Sequence, residues 1–128
     1  MRLLLDTHAL LWWMTDDSRL SRLARDLMVK RENELMVSAV SAWEIATKVR
    51  LGRLPMAADL MKNFALDIAA RKLVMLPVTL DHGIKAGLLP GPHQDPFDRM
   101  LIAQALAEEV PVISNDRAFD GYEVRRYW

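Results

Sequence analysis

The sequence predicts an α/β fold in which helices cover both faces of a mostly parallel sheet of four to five strands. Three observations carry this. Short apolar runs at 3–5 ("LLL"), 35–38 ("LMVS"), 73–78 ("LVMLPV") and 110–114 ("VPVIS") recur along the chain. They lack the polar alternation of a half-solvated strand, as strands buried on both faces do. Between them lie segments with apolar residues at helical spacing, and strands alternating with helices imply right-handed crossovers into a parallel sheet.

The elements follow in order. Leu3 to Leu5 is the first strand, and Thr7 to Met14 a short helix carrying Trp12 and Trp13. Asp17 and Ser18 read as the start of a second helix, with Leu20, Leu23, Leu27 and Met28 on its apolar side. Leu35 to Ser38 is the second strand, and "VSAWEIATKVR" the helix after it, with Ser38 or Ser41 near its cap. Gly52 and Pro55 bracket a connector. Ala57 to Arg71 reads as one longer amphipathic helix with Leu60, Phe64 and Ile68 on one stripe. Pro77 closes the third strand, and Thr79 opens a helix to Leu88. "LPGPHQDP" is a loop by its three prolines and glycine. Pro96 then begins the helix "PFDRMLIAQALAEE", with Met100, Leu101, Ala105 and Leu106 inward. "VPVIS" is the fourth strand, "NDRAFDG" a turn with a helical piece, and Tyr122 to Val124 the expected last strand.

The 128 residues suit a single domain spanning 1–128, and a hydrophobic content of 52% excludes a disordered chain. The absence of cysteine excludes disulfides and thiolate metal sites, and fits a reducing compartment. The opening run is too short for a secretion signal or a membrane span, so the chain is expected to begin here and to stay soluble in the cytoplasm. A net charge of zero excludes a strongly basic, non-specific nucleic-acid binder; any such contact must use a local basic patch.

Four carboxylates fall at comparable places. Asp6 ends the first strand, Glu44 lies one turn into the helix after the second, Asp98 sits in the first turn after the proline loop, and Asp116 follows the fourth strand. In an open parallel sheet the carboxyl ends of the strands share one edge, where ligands bind. Two unit charges about 4 Å apart repel by about 4 kcal/mol at an effective dielectric near 20, so convergence calls for a cation. Without cysteine or paired histidine ligands, oxygen-preferring Mg²⁺ or Mn²⁺ suits such a cluster, and phosphodiester cleavage suits such an ion. Each acid also has a plainer use: Asp6 as a helix cap, Glu44 on a solvated face, Asp98 as a first-turn acid, Asp116 in an Asx turn.

"LLLDTHALLWW", "VSAVSAWEIATKVRLGRL", "DPFDRMLIAQALAEEVPVIS" and "NDRAF" together resemble the PIN-domain ribonucleases, and among them the VapC toxins of type II toxin–antitoxin systems. The resemblance runs from Arg2 to about Tyr122. It implies a PIN-like three-layer α/β/α sandwich that hydrolyses RNA with Mg²⁺ or Mn²⁺. Its catalytic and metal-holding acids map onto Asp6, Glu44, Asp98 and Asp116. Asp98 is preferred over Asp95, which reads as the cap of its helix. Ser114 stands where threonine is common, and Thr7 and Ser114 are expected to hydrogen-bond the carboxylates. The resemblance further implies a homodimer and a cognate, VapB-like antitoxin that inserts a segment near the site.

Other residues carry weaker expectations. Arg99, Lys48, Arg50 and Arg53 are candidate RNA contacts, with surface ion pairs or a helix end as the alternative. His8, His82 and His93 share no metal-ligand spacing and receive no catalytic role. Trp12, Trp13 and Trp43 are expected to pack, although aromatics also stack bases. Met14, Met28, Met56 and Met61 suit a core or a groove. Apart from a structure-specific DNA nuclease of related fold, which usually carries more acids and extra DNA-binding elements than this short chain has room for, two rival functions stand beside the ribonuclease. One is a catalytically silent RNA- or partner-binding module of the same fold. The other is a receiver-like phosphoacceptor, which "VISND" disfavours because it offers no late-strand lysine.

Overall fold

Strand β1 (Arg2–Leu5) is the centre of the molecule, described over residues 1–128 by a computed structural model. It pairs in parallel with β2 (Glu34–Ser38) on one side and β4 (Val112–Ile113) on the other. The strands β3 (Val74–Leu76) and β5 (Arg126–Tyr127) add at the edges, giving a wholly parallel sheet in the order β3-β2-β1-β4-β5. A receiver-like fold has the order 2-1-3-4-5, so this topology is a different one.

The leucine run works because successive strand side chains face opposite ways. Leu3 and Leu5 enter one core with Leu10, Ala24, Met28, Ile45 and Ile68; these come from α1 (Thr7–Met14), α2 (Arg22–Val29), α3 (Ala39–Arg50) and α5 (Phe64–Ala70). Leu4 enters the other, with Leu101, Ile102 and Ala105 of α7 (Pro96–Glu108), Val112 and Phe119. Helices on both faces make the three-layer sandwich. Along α7, residues 101–105 are all buried, because α6 (Leu80–Leu88) covers its outer side. There Gln104 donates to the carbonyl of Pro77 at 3.2 Å.

Three boundaries differ from the sequence expectation. Helix α2 starts at Arg22, capped by the Ser21 hydroxyl, because Asp17 is engaged instead in a turn with the main chain and guanidinium of Arg19. The expected helix over 57–71 is broken: a 3-10 turn at Pro55–Ala57 leads into α4 (Ala58–Lys62), and Asn63 at φ −128° separates it from α5. The stripe survives the break, since Leu60, Phe64 and Ile68 all pack on the first core. The last strand is Arg126–Tyr127, not Tyr122–Val124. Val124 is drawn into the second core, and the Arg126 guanidinium fixes the pairing by bonding both Asp120 and the Ser114 carbonyl.

Candidate active site

The strand order reverses direction at β1 and β4, the place where an open parallel sheet leaves a crevice beyond its carboxyl ends. Asp6 is the residue after β1. Its N–H still pairs with the Ile113 carbonyl at 3.0 Å, while its side chain caps α1 by accepting the Thr7 N–H at 2.8 Å. Asp6 is therefore the cap of α1, and its carboxylate lies at the crevice. Its other oxygen accepts the Ser114 hydroxyl at 2.6 Å. Ser114 also accepts the Asp116 N–H at 2.9 Å, so one hydroxyl ties the first acid to the last. Asp116 in turn accepts the Ala118 N–H at 2.9 Å, opening the 3-10 turn Arg117–Gly121. The Thr7 hydroxyl bonds Ser41 at 3.0 Å rather than a carboxylate; only its main chain serves Asp6.

Glu44 arrives on α3, whose start is capped by Ser38. It is 3% exposed and paired with Lys48 through Oε2, while its Oε1 is buried with no partner. Asp98 stands in the first turn of α7. Asp95 caps that helix by accepting the N–H groups of Phe97 and Asp98 at 2.9 and 3.0 Å, the use expected for it from the sequence. The Asp98 Oδ2 lies 2.9 Å from Nε2 of His93.

All four acids line one polar cavity of about 520 Å³, with Lys48, Arg19, Arg117, His8, Asn115 and Asp95 also on its wall. Their mutual charge is felt. Burial pushes the Asp6 carboxyl up to about 7; the Ser114 hydrogen bond opposes this, and the charges of Asp98 and Glu44 add to it. Asp98 is also raised, first by burial, against the pull of the His93 hydrogen bond, with Asp95, Glu44 and Asp116 adding. An orphaned oxygen on Glu44, with Asp6 and Asp98 both raised by burial and by neighbouring negative charge, suits a site that binds a cation. The donors are oxygens, so a hard divalent ion suits them.

The other expected residues are placed differently. Lys48 is on the cavity wall, but Arg50 and Arg53 are exposed and away from it. Arg99 points into the protein and donates to the carbonyls of Ala86, Leu89 and His93 at 2.8, 2.6 and 2.9 Å. His93, which received no role from sequence, sits against Asp98; a histidine five residues before an acid in a proline loop was the signal. Arg117 was findable by adjacency to Asp116, whereas Arg19 reaches the cavity from a distant turn and over the Trp12 ring, with no sequence signal. Trp12 packs as expected; Trp43 is 61% exposed, edge-on to Phe97.

Comparison with known proteins agrees with this architecture. The family model of the PIN domain matches residues 3–124. The chain is 29% identical over 115 residues to ribonuclease VapC22 of Mycobacterium tuberculosis, covering 89% of this chain and 86% of that one. Among solved structures, VapBC2 from Rickettsia felis bound to a promoter DNA fragment superposes with a TM-score of 0.70 at 16% identity, over 99% and 98% of the two chains. FitAcB from Neisseria gonorrhoeae superposes with a TM-score of 0.68 at 16% identity, over 100% and 97%. A parallel sheet with its acids gathered at the β1–β4 crevice, and a family match spanning nearly every element of it, place this chain in the PIN-domain family.

Proposed function

We propose that this chain is a divalent-metal-dependent endoribonuclease, the toxin of a type II toxin–antitoxin pair, and that its partner is a VapB-like antitoxin. The observation that carries the reading is the meeting of Asp6, Glu44, Asp98 and Asp116 on one cavity from four separate segments of chain. The ribonuclease name of its relative and the toxin–antitoxin complexes among its structural neighbours support it.

Asp6, Asp98 and Asp116 would hold Mg²⁺ or Mn²⁺, and Glu44 would bind the ion or orient water through its unpartnered oxygen. When bound, the ion supplies charge neutralisation, polarisation of a phosphoryl oxygen and a more acidic water. The chain does the rest. Thr7 and Ser114 fix the Asp6 carboxylate through two hydrogen bonds and leave its remaining lone pairs toward the cavity. Lys48 balances one charge of Glu44, and Arg19 and Arg117 on the wall meet the phosphates of an entering RNA strand.

A single domain over 1–128 fits this reading, since the sheet uses both Arg2 and Tyr127. A homodimer fits the exposed stripe Leu80, Ile84 and Leu88 along α6, spaced to form one apolar line. No helix is long and apolar enough to cross a membrane, and a cytoplasmic site of action suits an RNA substrate.

The test is incubation of the purified chain with cellular RNA in Mg²⁺ or Mn²⁺, with an EDTA control. Metal-dependent internal cuts that vanish in Asp6→Asn are expected. RNA binding without cleavage would favour the silent module instead.

A further inference from the structure

We propose that His93 is a positioning residue for Asp98: it holds one oxygen of that carboxylate and so fixes the orientation in which the group meets the shared ion. The inference rests on the metal-site reading above and adds a residue to it.

The imidazole is mounted on a built support. His93 lies in the loop 89–95 between α6 and α7. Arg99, the neighbour of Asp98, donates to the His93 carbonyl at 2.9 Å and, with its other nitrogen, to Ala86 and Leu89 at 2.8 and 2.6 Å. One guanidinium therefore staples the last turn of α6 and two points of the loop, Leu89 and His93, to the first turn of α7. Gly91 turns the loop at φ +101°, and a Cβ there would lie 2.9 Å from the Tyr122 hydroxyl, so the loop passes tightly over that ring. Asp95 then caps α7. With its main chain held this way, His93 presents Nε2 to Asp98 Oδ2 at 2.9 Å, and both side chains are about four-fifths buried.

Asp98 faces the negative charges of Asp95, Glu44 and Asp116. Repulsion alone would turn its carboxylate away from them. The hydrogen bond from His93 opposes that rotation and uses only one lone pair of Oδ2. Ligand atoms of His93, Asp98 and Asp116 lie within 4.8 Å of one another, close enough for the ring nitrogen itself to be a ligand. A nitrogen that donates its proton to Asp98 has no lone pair for a metal, however, and Mg²⁺ and Mn²⁺ prefer oxygen. Hydrogen bonds that orient a ligating carboxylate typically change metal affinity by about 10- to 100-fold.

The test compares His93→Gln, whose amide nitrogen reaches the position of Nε2, with His93→Asn, whose amide falls short. Mn²⁺ affinity is read from the free-ion electron paramagnetic resonance signal, with Asp98→Asn as reference and circular dichroism as the folding check. The expected result is binding weakened about 10-fold in His93→Asn and restored in His93→Gln, with the metal requirement for cleavage following the same order. Equal affinity in the two variants overturns the proposal, as does nitrogen hyperfine coupling from His93 to bound Mn²⁺. If Asp98→Asn itself binds Mn²⁺ like the unmodified chain, the metal-site reading falls; if only the histidine variants are silent, the positioning role alone falls.

Discussion

The Ser114 hydroxyl donates a 2.6 Å hydrogen bond to Asp6 across 108 residues of sequence. It can do so because Leu5 and Ile113 pair in register, so the residue after each strand emerges at the same edge. Ser114 is fully buried and also satisfies the Asp116 N–H. Ser114→Ala removes a charge-assisted bond and orphans a main-chain donor. A loss of about 2 kcal/mol is expected in urea unfolding at pH 8, where Asp6 is ionised, together with a drop in cleavage rate.

Asp6→Asn is expected to abolish cleavage while leaving the circular dichroism spectrum unchanged. Without metal and near neutral pH the variant should be more stable than the parent, because it removes a buried carboxylate that ionises at a cost. A variant with full activity in Mg²⁺ would contradict the role given to Asp6.

The pH dependence has a definite sign. The folded chain keeps a proton on Asp6 up to about pH 7, whereas the unfolded chain releases it near 3.8. The folded state therefore binds more protons across that window, and metal-free stability falls as pH rises through it. At about 1.4 kcal/mol per pH unit, the span amounts to about 4 kcal/mol. Asp98 shifts in the same direction. In EDTA the melting temperature should decline from pH 4 to 7 and then level; saturating Mg²⁺ should flatten the profile.

Lys48 is the counter-ion of a glutamate that is 3% exposed. Lys48→Met leaves that carboxylate charged and unpaired, at a cost of about 3 kcal/mol in EDTA. Added Mn²⁺ should recover most of the loss, because the ion then supplies the missing positive charge. Chemical denaturation with and without metal measures both.

Arg99→Lys keeps the charge but loses the planar fork that spans three carbonyls. A destabilisation of about 2 kcal/mol is expected, with faster amide exchange across the loop 89–95. RNA affinity at saturating metal should be unaffected, which distinguishes a loop staple from a phosphate contact.

Much of this was legible in the chain. The run Leu3 to Leu5 announced a two-faced strand, Asp95-Pro96 announced the cap and first residue of α7, and each of the four acids stood beside a strand end or helix start. Local chemistry writes such signals directly. The break at Asn63 and the displacement of the last strand to Arg126 were not legible. Both depend on which side chains the core accepts and on an arginine bonded to groups distant in sequence. Arg99 misled for a related reason: beside an acid it resembles a phosphate ligand, and only the returning loop supplies the carbonyls that claim it.

The sequence by itself determined the alternation of strands and helices, the caps, and which acids were candidates, because these follow from periodicity and from hydrogen bonds made within a few residues. The tertiary structure decided the sheet order, the neighbours of each acid and the burial that raises Asp6. Those depend on pairing between β1 and β4 and on the cavity they leave, and electrostatic energy is a property of distances in space, which no spacing along the chain fixes.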